Sequence, residues 1–179
     1  MDPRPVLDLI DAARASARRE GDITLVGIGG HGAAGKTTLA RMIPAAQIVS
    51  TDEFWDGKEF EIGRIAREVV VPLSRGMSAR FSSYDWAAGE RRGLRTVEPT
   101  GVVVVEGVCA LHRMLRDAYA VRVWVDASYD VRLARAVARD GEEARLTWTE
   151  LWMPSEERYV ERDDPVACAH LVVDGGTAV

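Results

Sequence analysis

Apolar residues recur at helical spacing in several parts of the chain. The pattern predicts an amphipathic helix over residues 4–19, which Gly21 ends, and a second helix over residues 62–73. Ser128 can cap a further helix, which Gly141 ends. Shorter helical patterns cover residues 36–43 and 149–162. The apolar positions of the first stripe are Val6, Leu9, Ile10, Ala13 and Ala17.

Short runs rich in β-branched residues alternate with these helices. Their nearly continuous apolar character is typical of strands that are buried on both faces. Strands that alternate with helices predict a parallel sheet with helices on both sides, within a single domain over residues 1–179. Residues 76–100 are the least regular stretch and are predicted to form a loop. The predicted strands cover residues 23–28, 47–50, 102–105, 121–125 and 171–173.

Composition and charge exclude several classes of protein. The chain has 179 residues, 47% of them hydrophobic, and a formal net charge of −5, which argues against general nucleic-acid binding. Its positive charges are nearly all arginines, because Lys36 and Lys58 are the only lysines. Cys109 and Cys168 fit neither a disulfide framework nor a zinc spacing. No signal peptide or membrane span is apparent, so we expect a cytoplasmic protein.

A glycine-rich run after the first predicted strand carries the strongest chemical signal. It matches the phosphate-binding pattern G-x-x-x-x-G-K-[ST], in which backbone amides and a helix N-terminus surround phosphate oxygens. The lysine supplies a compact charge for the β- and γ-phosphates, and the following hydroxyl can bind Mg²⁺. The run and the residue after it are Gly30, His31, Gly32, Ala33, Ala34, Gly35, Lys36, Thr37 and Thr38.

A second motif overlaps this loop and predicts a different cofactor. Residues 27–32 fit G-x-G-x-x-G, and Asp52 follows Gly32 by 20 residues, as in dinucleotide-binding folds. An NAD-dependent oxidoreductase would follow from this alternative. It requires a helix that begins near Gly32, and it leaves residues 35–38 without a role.

Two carboxylates come directly after predicted strands. Because the carboxyl ends of parallel strands meet at the ligand-binding edge of a sheet, we expect both beside the phosphate loop. Asp52 is placed to accept the proton of an attacking hydroxyl, and Glu106 is placed to hold Mg²⁺ or its water. Arg132, Arg135 and Arg139 share one predicted helix face, where they can stabilise charge on a transferring phosphoryl group.

Aromatic residues in the irregular stretch suggest an acceptor that carries a ring. Tyr84, Asp85 and Trp86 combine two aromatic rings with an acid, which suits a hydroxylated ring-bearing substrate. Trp148 and Trp152 are interpreted as packing residues, and His31 as a variable position of the loop rather than a base.

Taken in order, these segments resemble the uridine kinase / phosphoribulokinase branch of P-loop kinases over residues 22–175. The matching segments are residues 29–38, 51–55, 84–86, 104–107, 132–140 and 169–175. The resemblance implies a three-layer α/β/α fold with a five-stranded parallel sheet, ATP with Mg²⁺ as cofactors, and phosphoryl transfer to a small-molecule hydroxyl. It also implies that Asp52 is the catalytic base, that Trp55 and Tyr84 contact substrate, and that Arg139 belongs to a lid.

The chain departs from that family at several positions. Ala136 stands where uridine kinases carry a second lid arginine, and Arg135 is one residue away. Gly89 occupies the place of a substrate-contacting histidine, and the segment between Trp55 and Tyr84 reads as a helix instead of a hairpin. These differences weigh against uridine itself as the acceptor more than against kinase chemistry.

The sequence therefore predicts an ATP-dependent kinase for a small hydroxylated metabolite. Its predicted catalytic residues are Asp52, Lys36, Arg135 and Arg139, with Thr37 and Glu106 toward Mg²⁺. Residues 139–150 are predicted to form a mobile lid. A nucleoside is one candidate acceptor, and a sugar, a vitamin or a nucleotide are alternatives. A regulatory protein that binds nucleotide without catalysis also stays open, as does a homo-oligomer; no nucleic-acid or membrane partner is expected.

Overall fold

The computed structural model describes residues 1–16 and 23–176. Its centre is a five-stranded parallel sheet with strand order β2-β5-β1-β6-β7, and a separate antiparallel pair joins β3 to β4. The predicted α/β fold with a five-stranded sheet is confirmed. The strands are β1 (Thr24–Gly30), β2 (Gln47–Ser50), β3 (Ala79–Asp85), β4 (Glu90–Val97), β5 (Val102–Glu106), β6 (Val121–Asp126) and β7 (Leu171–Asp174).

The sheet is buried on both faces because its central strands are apolar except for Thr24 and Glu106 at their ends. Every residue of β1 and β5 is buried. Neighbouring residues point to opposite sides, so Leu25 and Val26 enter different apolar clusters, as do Val103 and Val104. One cluster packs under the helix of residues 62–74 and the antiparallel pair. The other packs under the helices Arg4–Ala15 and Lys36–Arg41.

Five helical segments cover the sheet or border its edge. Helix α1 (Arg4–Ala15) buries Val6 and Ile10, and the predicted extension through Ala17 to the stop at Gly21 lies outside the described residues. Helix α2 (Lys36–Arg41) follows the phosphate loop, and α3 covers residues 62–74. Helix α4 (Tyr129–Asp140) begins at Ser128, whose hydroxyl accepts the Val131 amide, and α5 covers residues 145–163.

The stretch predicted to be a loop is a β-hairpin, and that prediction is wrong. Strand β3 pairs with β4 from Ala79 opposite Val97 to Asp85 opposite Glu90. Most of β4 is exposed and charged, so it lacks the alternation by which a half-buried strand is recognised. Apolar contacts at one end of the hairpin, from Ala79, Phe81 and Val97, hold it on the core. Tyr84 and Asp85 consequently lie on a strand rather than on a loop.

Among the residues that the structure describes, no helix combines the length and the apolar character needed to cross a bilayer.

Candidate active site

One large cavity opens where the carboxyl ends of β1, β2 and β5 meet. Its volume is about 1450 Å³. The phosphate loop forms one wall, the segment after β2 forms another, and helices α4 and α5 form the rest. Most of the predicted site residues therefore line one cavity. This agrees with the rule that ligands bind at the carboxyl edge of a parallel sheet.

The phosphate loop has the backbone geometry that its glycines allow. Gly30 and Gly35 adopt φ values of +149° and +108°, which other residues rarely do, and a Cβ on Gly30 would lie 2.4 Å from the carbonyl oxygen of Val125. The Lys36 ammonium is buried and donates to the carbonyl oxygen of His31 at 2.7 Å. Burial lowers the pKa of Lys36, and the charges of nearby Glu106, Glu156 and Asp52 oppose that shift. Gly32, Ala33, Gly35, Lys36, Thr37 and Thr38 line the cavity, whereas Gly30, His31 and Ala34 form the inner side of the loop.

The same geometry contradicts the dinucleotide alternative. Strand β1 continues to Gly30, and helix α2 begins at Lys36 rather than near Gly32. The glycines of residues 27–32 thus belong mostly to a buried strand. A Cβ on Gly27 would meet the rings and methyls of Tyr119 and Leu111 within 2.8 Å.

Thr37 and Glu106 form a pair of oxygen ligands beside Lys36. The Thr37 hydroxyl donates to a Glu106 carboxylate oxygen at 3.2 Å. Glu106 is buried, and the loss of water raises its pKa, while the charge of Lys36 and the hydroxyls of Ser50 and Thr37 oppose the shift. Hydroxyl and carboxylate oxygens suit a hard cation such as Mg²⁺. Within the described parts of the chain, no group of three or more His, Cys, Asp or Glu side chains forms a metal cage.

Asp52 lies on the opposite wall, two residues past the end of β2. Ser50 caps the short 3-10 helix Thr51–Phe54, and its hydroxyl accepts the Asp52 amide at 3.3 Å. The Asp52 carboxylate is open to solvent in the cavity, yet protein surrounds it on most sides. The resulting loss of water raises its pKa, and the positive charges of Lys36 and Arg139 oppose the shift.

The hairpin fixes the turn that carries Asp52. The neighbouring Glu53 carboxylate accepts hydrogen bonds from the Ser50 amide at 3.1 Å and from the Ser83 hydroxyl at 2.5 Å. Arg95, on β4, also pairs with Glu53 and donates to the carbonyl oxygen of Ile48. Sequence reasoning missed Glu53, Ser83 and Arg95, because residues 30 or more apart meet here only through the hairpin.

The three arginines of α4 do not act together. Arg135 and Arg139 line the cavity, but Arg132 is buried beneath it and bonds to the carbonyl oxygen of Ala127 at 3.1 Å. The prediction that the row faces the phosphate site is wrong for Arg132. Arg135 donates to the Gly175 carbonyl oxygen at 2.7 Å, and Arg139 pairs with Asp140 at 2.7 Å. Arg132 and Ala136 are the buried residues of this helix, whereas Arg139 is exposed.

Indole rings form the wall next to Asp52. Trp55 and Trp86 stack with ring centroids 5.7 Å apart, and both line the cavity with Phe60. The Trp86 indole N–H donates to the Asp52 carbonyl oxygen at 3.3 Å, which ties the wall to the predicted base. Tyr84 contacts only the edge of Trp86 and does not line the cavity.

Asp85 lies away from the cavity and shapes the hairpin turn. One of its carboxylate oxygens accepts the amides of Ala87 and Ala88 at 3.0 and 3.1 Å. Neither Asp85 nor Tyr84 lines the cavity, so their predicted contacts with substrate do not agree with their positions. Trp86 is the member of the trio that lines the cavity, and Tyr84 packs against its ring.

Glu156 and Trp148 contact the phosphate loop from α5, and sequence reasoning gave neither a role there. A Glu156 carboxylate oxygen accepts the Gly32 amide at 3.0 Å, and a Cβ on Gly32 would lie 2.6 Å from both Glu156 and Trp148. Trp148 also packs with Ala136 and Met153, as predicted for a packing residue. Nothing in the sequence distinguishes Glu156 from the other acids of this helix, such as Glu150 and Glu157.

His31 contacts the core rather than the cavity. Its ring lies edge-on to Trp124 with centroids 5.4 Å apart, and burial lowers its pKa to about 4. A ring that packs on the core in this way is not placed to accept a proton from a ligand in the cavity. Cys109 lines the cavity as a free thiol whose pKa burial raises to about 12.

Comparison with known proteins places the chain in a family. The Phosphoribulokinase / Uridine kinase family matches residues 50–162, which is well over half of the chain. Uridine kinase-like protein 3 from Arabidopsis thaliana is 28% identical over 151 residues, which cover 70% of this chain and 32% of that protein. The uridine kinase from Halobacterium salinarum is 30% identical over 138 residues, covering 64% and 61% of the two chains.

The fold agrees with that assignment. The structure of a possible uridine kinase from Bacillus stearothermophilus superposes with a TM-score of 0.66 at 16% identity, over 95% of this chain and all of that one. The chain spans about a third of the Arabidopsis relative and less than two thirds of the Halobacterium one. The phosphate loop and the carboxylate that faces it across one cavity agree with the family match over residues 50–162. The chain belongs to the phosphoribulokinase/uridine kinase family of P-loop kinases.

Proposed function

We propose that this protein transfers the γ-phosphoryl group of ATP to a hydroxyl of a small metabolite. One observation carries the proposal: the Lys36 loop and the Asp52 carboxylate face the same cavity, and Asp52 has a raised pKa there. A raised pKa strengthens the carboxylate as a proton acceptor. An acceptor hydroxyl between the two walls would meet a base on one side and the phosphoryl group on the other.

The roles of the residues follow from their positions. ATP phosphates would lie on residues 30–38, where the loop amides and Lys36 offset their charge. The acceptor oxygen bonds to the γ-phosphorus as the bond to the β–γ bridging oxygen breaks, ADP leaves, and Asp52 takes the hydroxyl proton. Arg135 and Arg139 would stabilise the charge that spreads over the γ-phosphoryl oxygens.

Mg²⁺ fits the oxygen pair of Thr37 and Glu106. When bound, the cation would neutralise phosphate charge, held by these two residues directly or through water. Glu106 is buried, and its pKa is raised although Lys36, Ser50 and Thr37 oppose the shift, so its charge is only partly compensated. A cation here would supply that compensation.

Residues 139–150 are proposed to close over the transferring group. Gly141, with a φ of +92°, separates α4 from the short 3-10 helix Glu142–Ala144, so the segment has a natural hinge. Trp148, in the helical turn that follows residues 142–144, packs against Gly32 of the phosphate loop. Closure would exclude water and suppress wasteful hydrolysis of ATP.

An ADP-release screen with Mg-ATP tests the proposal. The acceptor panel contains nucleosides, sugars, vitamins and nucleotides, and the exposed indole of Trp86 makes ring-bearing compounds the first choice. We expect acceptor-dependent ADP release that is lost in Lys36→Ala. Tight nucleotide binding without a phosphorylated product from any acceptor would instead favour the regulatory, non-catalytic alternative.

A further inference from the structure

The part of the cavity lined by the C-terminal end of helix α5 carries positive charge that the proposed transfer does not use. Helix α5 passes the loop at Glu156 and continues along the cavity, where Arg158 and Arg162 lie on its wall. Being four residues apart, the two arginines share one face of the helix. Arg158 is exposed to the cavity, and within the described parts of the chain its side chain forms no ion pair.

Arg162 is held in place by a buried carboxylate. Its Nε donates to an Asp163 oxygen at 2.7 Å, and the Asp163 side chain is completely buried. The two terminal nitrogens of Arg162 make no hydrogen bond to any residue that the structure describes, although 63% of the side chain is exposed. A guanidinium anchored through Nε presents its remaining N–H groups as a fixed fork, which is the geometry that binds carboxylate and phosphate oxygens.

The anchoring carboxylate is shared between two guanidinium groups. Asp163 is bound by Arg162 and by Arg113, whose Nε donates to it at 2.9 Å. Burial opposes ionisation of Asp163, but the hydrogen bonds from both arginines outweigh it and lower its pKa. The His112 ring also borders this carboxylate, with Nε2 3.5 Å from an Asp163 oxygen; burial lowers its pKa, and the charge of Asp163 opposes that shift. Two guanidinium groups therefore bind one carboxylate, and Arg158 lines the same part of the cavity.

A buried hydroxyl at the same end also lacks a partner. Tyr159 lines the cavity between the two arginines in sequence, is 5% exposed, and stacks on His112 with ring centroids 6.3 Å apart. Its hydroxyl makes no hydrogen bond within the described residues. This oxygen is itself closed off from the cavity, so it does not serve as a donor to a ligand there.

We propose that Arg158 and Arg162 form an oxyanion site that receives a carboxylate or phosphate group of the acceptor. This inference rests on the proposed function and narrows it from hydroxylated metabolites to anionic ones. The acceptor lies with its hydroxyl toward Asp52 and its oxyanion toward the end of α5. The protein as a whole is acidic, so selection of an anion depends on this local cluster.

A binding experiment tests the site independently of catalysis. Inorganic phosphate is titrated calorimetrically into protein saturated with Mg-β,γ-imido-ATP, which fills the phosphate loop. We expect one phosphate site, with affinity about 10- to 100-fold weaker in Arg162→Gln and in Arg158→Gln. Arg75→Gln makes the same charge change on an exposed residue outside the cavity and is expected to bind as the wild type does. Equal phosphate affinity in all four proteins overturns the inference.

A turnover experiment identifies the oxyanion and separates the two proposals. Hydroxy acids are paired with their amides, and sugar phosphates with the free sugars, in the ADP-release assay. The inference is supported if only one anionic series is turned over and kcat/KM is about 10- to 100-fold lower in the two arginine variants. That series then identifies the oxyanion as a carboxylate or a phosphate. Efficient turnover of the neutral partners, unaffected by either variant, overturns it and leaves the kinase function standing. Phosphate binding that depends on the arginines, without turnover of any acceptor, supports the oxyanion site and contradicts the kinase function.

Discussion

A Glu156 carboxylate oxygen accepts a hydrogen bond from the Gly32 amide at 3.0 Å, joining residues that are 124 positions apart. Glu156 also lies 3.5 Å from the buried guanidinium of Arg132. Helices α4 and α5 and the phosphate loop therefore meet at one carboxylate. The phosphate loop is therefore held by direct contact with α5.

Removing that carboxylate is expected to destabilise the protein. Glu156→Ala leaves the Gly32 amide and part of the Arg132 guanidinium unsatisfied, which should lower the free energy of unfolding by about 1–3 kcal/mol. Glu156→Gln keeps an acceptor for Gly32 and should lose less. Urea unfolding measures both. Glu157→Ala, on the exposed side of the same helix, should stay within about 0.5 kcal/mol of the wild type. An equal loss in Glu156→Ala and Glu157→Ala would refute the role of the contact.

The assignment of Asp52 as the base predicts a loss of turnover without a loss of nucleotide binding. Asp52→Asn keeps the shape of the side chain but removes the proton acceptor, so kcat should fall by about 100-fold or more. Mg-ATP affinity, measured by calorimetry, should be unchanged. Asp8→Asn, on the exposed face of α1, is the matched control. Turnover of Asp52→Asn near that of Asp8→Asn would mean that another group takes the proton.

The charge of Arg139 predicts a shift in the pH profile. Burial raises the pKa of Asp52, and the positive charges of Lys36 and Arg139 hold it down. Activity that requires ionised Asp52 is lost as pH falls through this pKa. Arg139→Gln removes a cation that favours the carboxylate, so the pKa rises and the acid limb of kcat/KM should move to higher pH. An acid limb that stays in place, or moves to lower pH, would contradict the coupling of the two residues.

The identity of the nucleotide predicts which ligand stabilises the fold. Mg-ATP at about 100 times its Kd should raise the free energy of unfolding by about 2.7 kcal/mol, seen as a higher Tm. NADH should leave the Tm unchanged, because α2 begins too late for a dinucleotide loop. The Mg-ATP shift should vanish in Lys36→Ala and persist in Arg41→Ala, an exposed position on α2. Stabilisation by NADH instead of Mg-ATP would reverse the assignment of the loop.

Local signals in the sequence determined the parallel sheet and the phosphate loop. Strands β1 and β5 are apolar at nearly every position, which happens only where both faces are buried. The loop glycines and Lys36 lie next to each other in the chain, so their shared role shows in one short segment. The prediction that Asp52 and Glu106 lie near the loop used their positions at the carboxyl ends of two strands, and both residues line the cavity that the loop borders.

Only the tertiary structure decided which polar residues work together. Arg132, Arg135 and Arg139 look alike along the sequence, yet one is buried against Ala127 and Glu156 while two face the cavity. The hairpin that holds Glu53 is recognisable only from its pairing, since β4 is almost wholly exposed. The environment of a charged side chain depends on contacts between segments far apart in the chain. Local patterns record the burial of apolar residues, whereas the partner of a charge is set by how the elements pack.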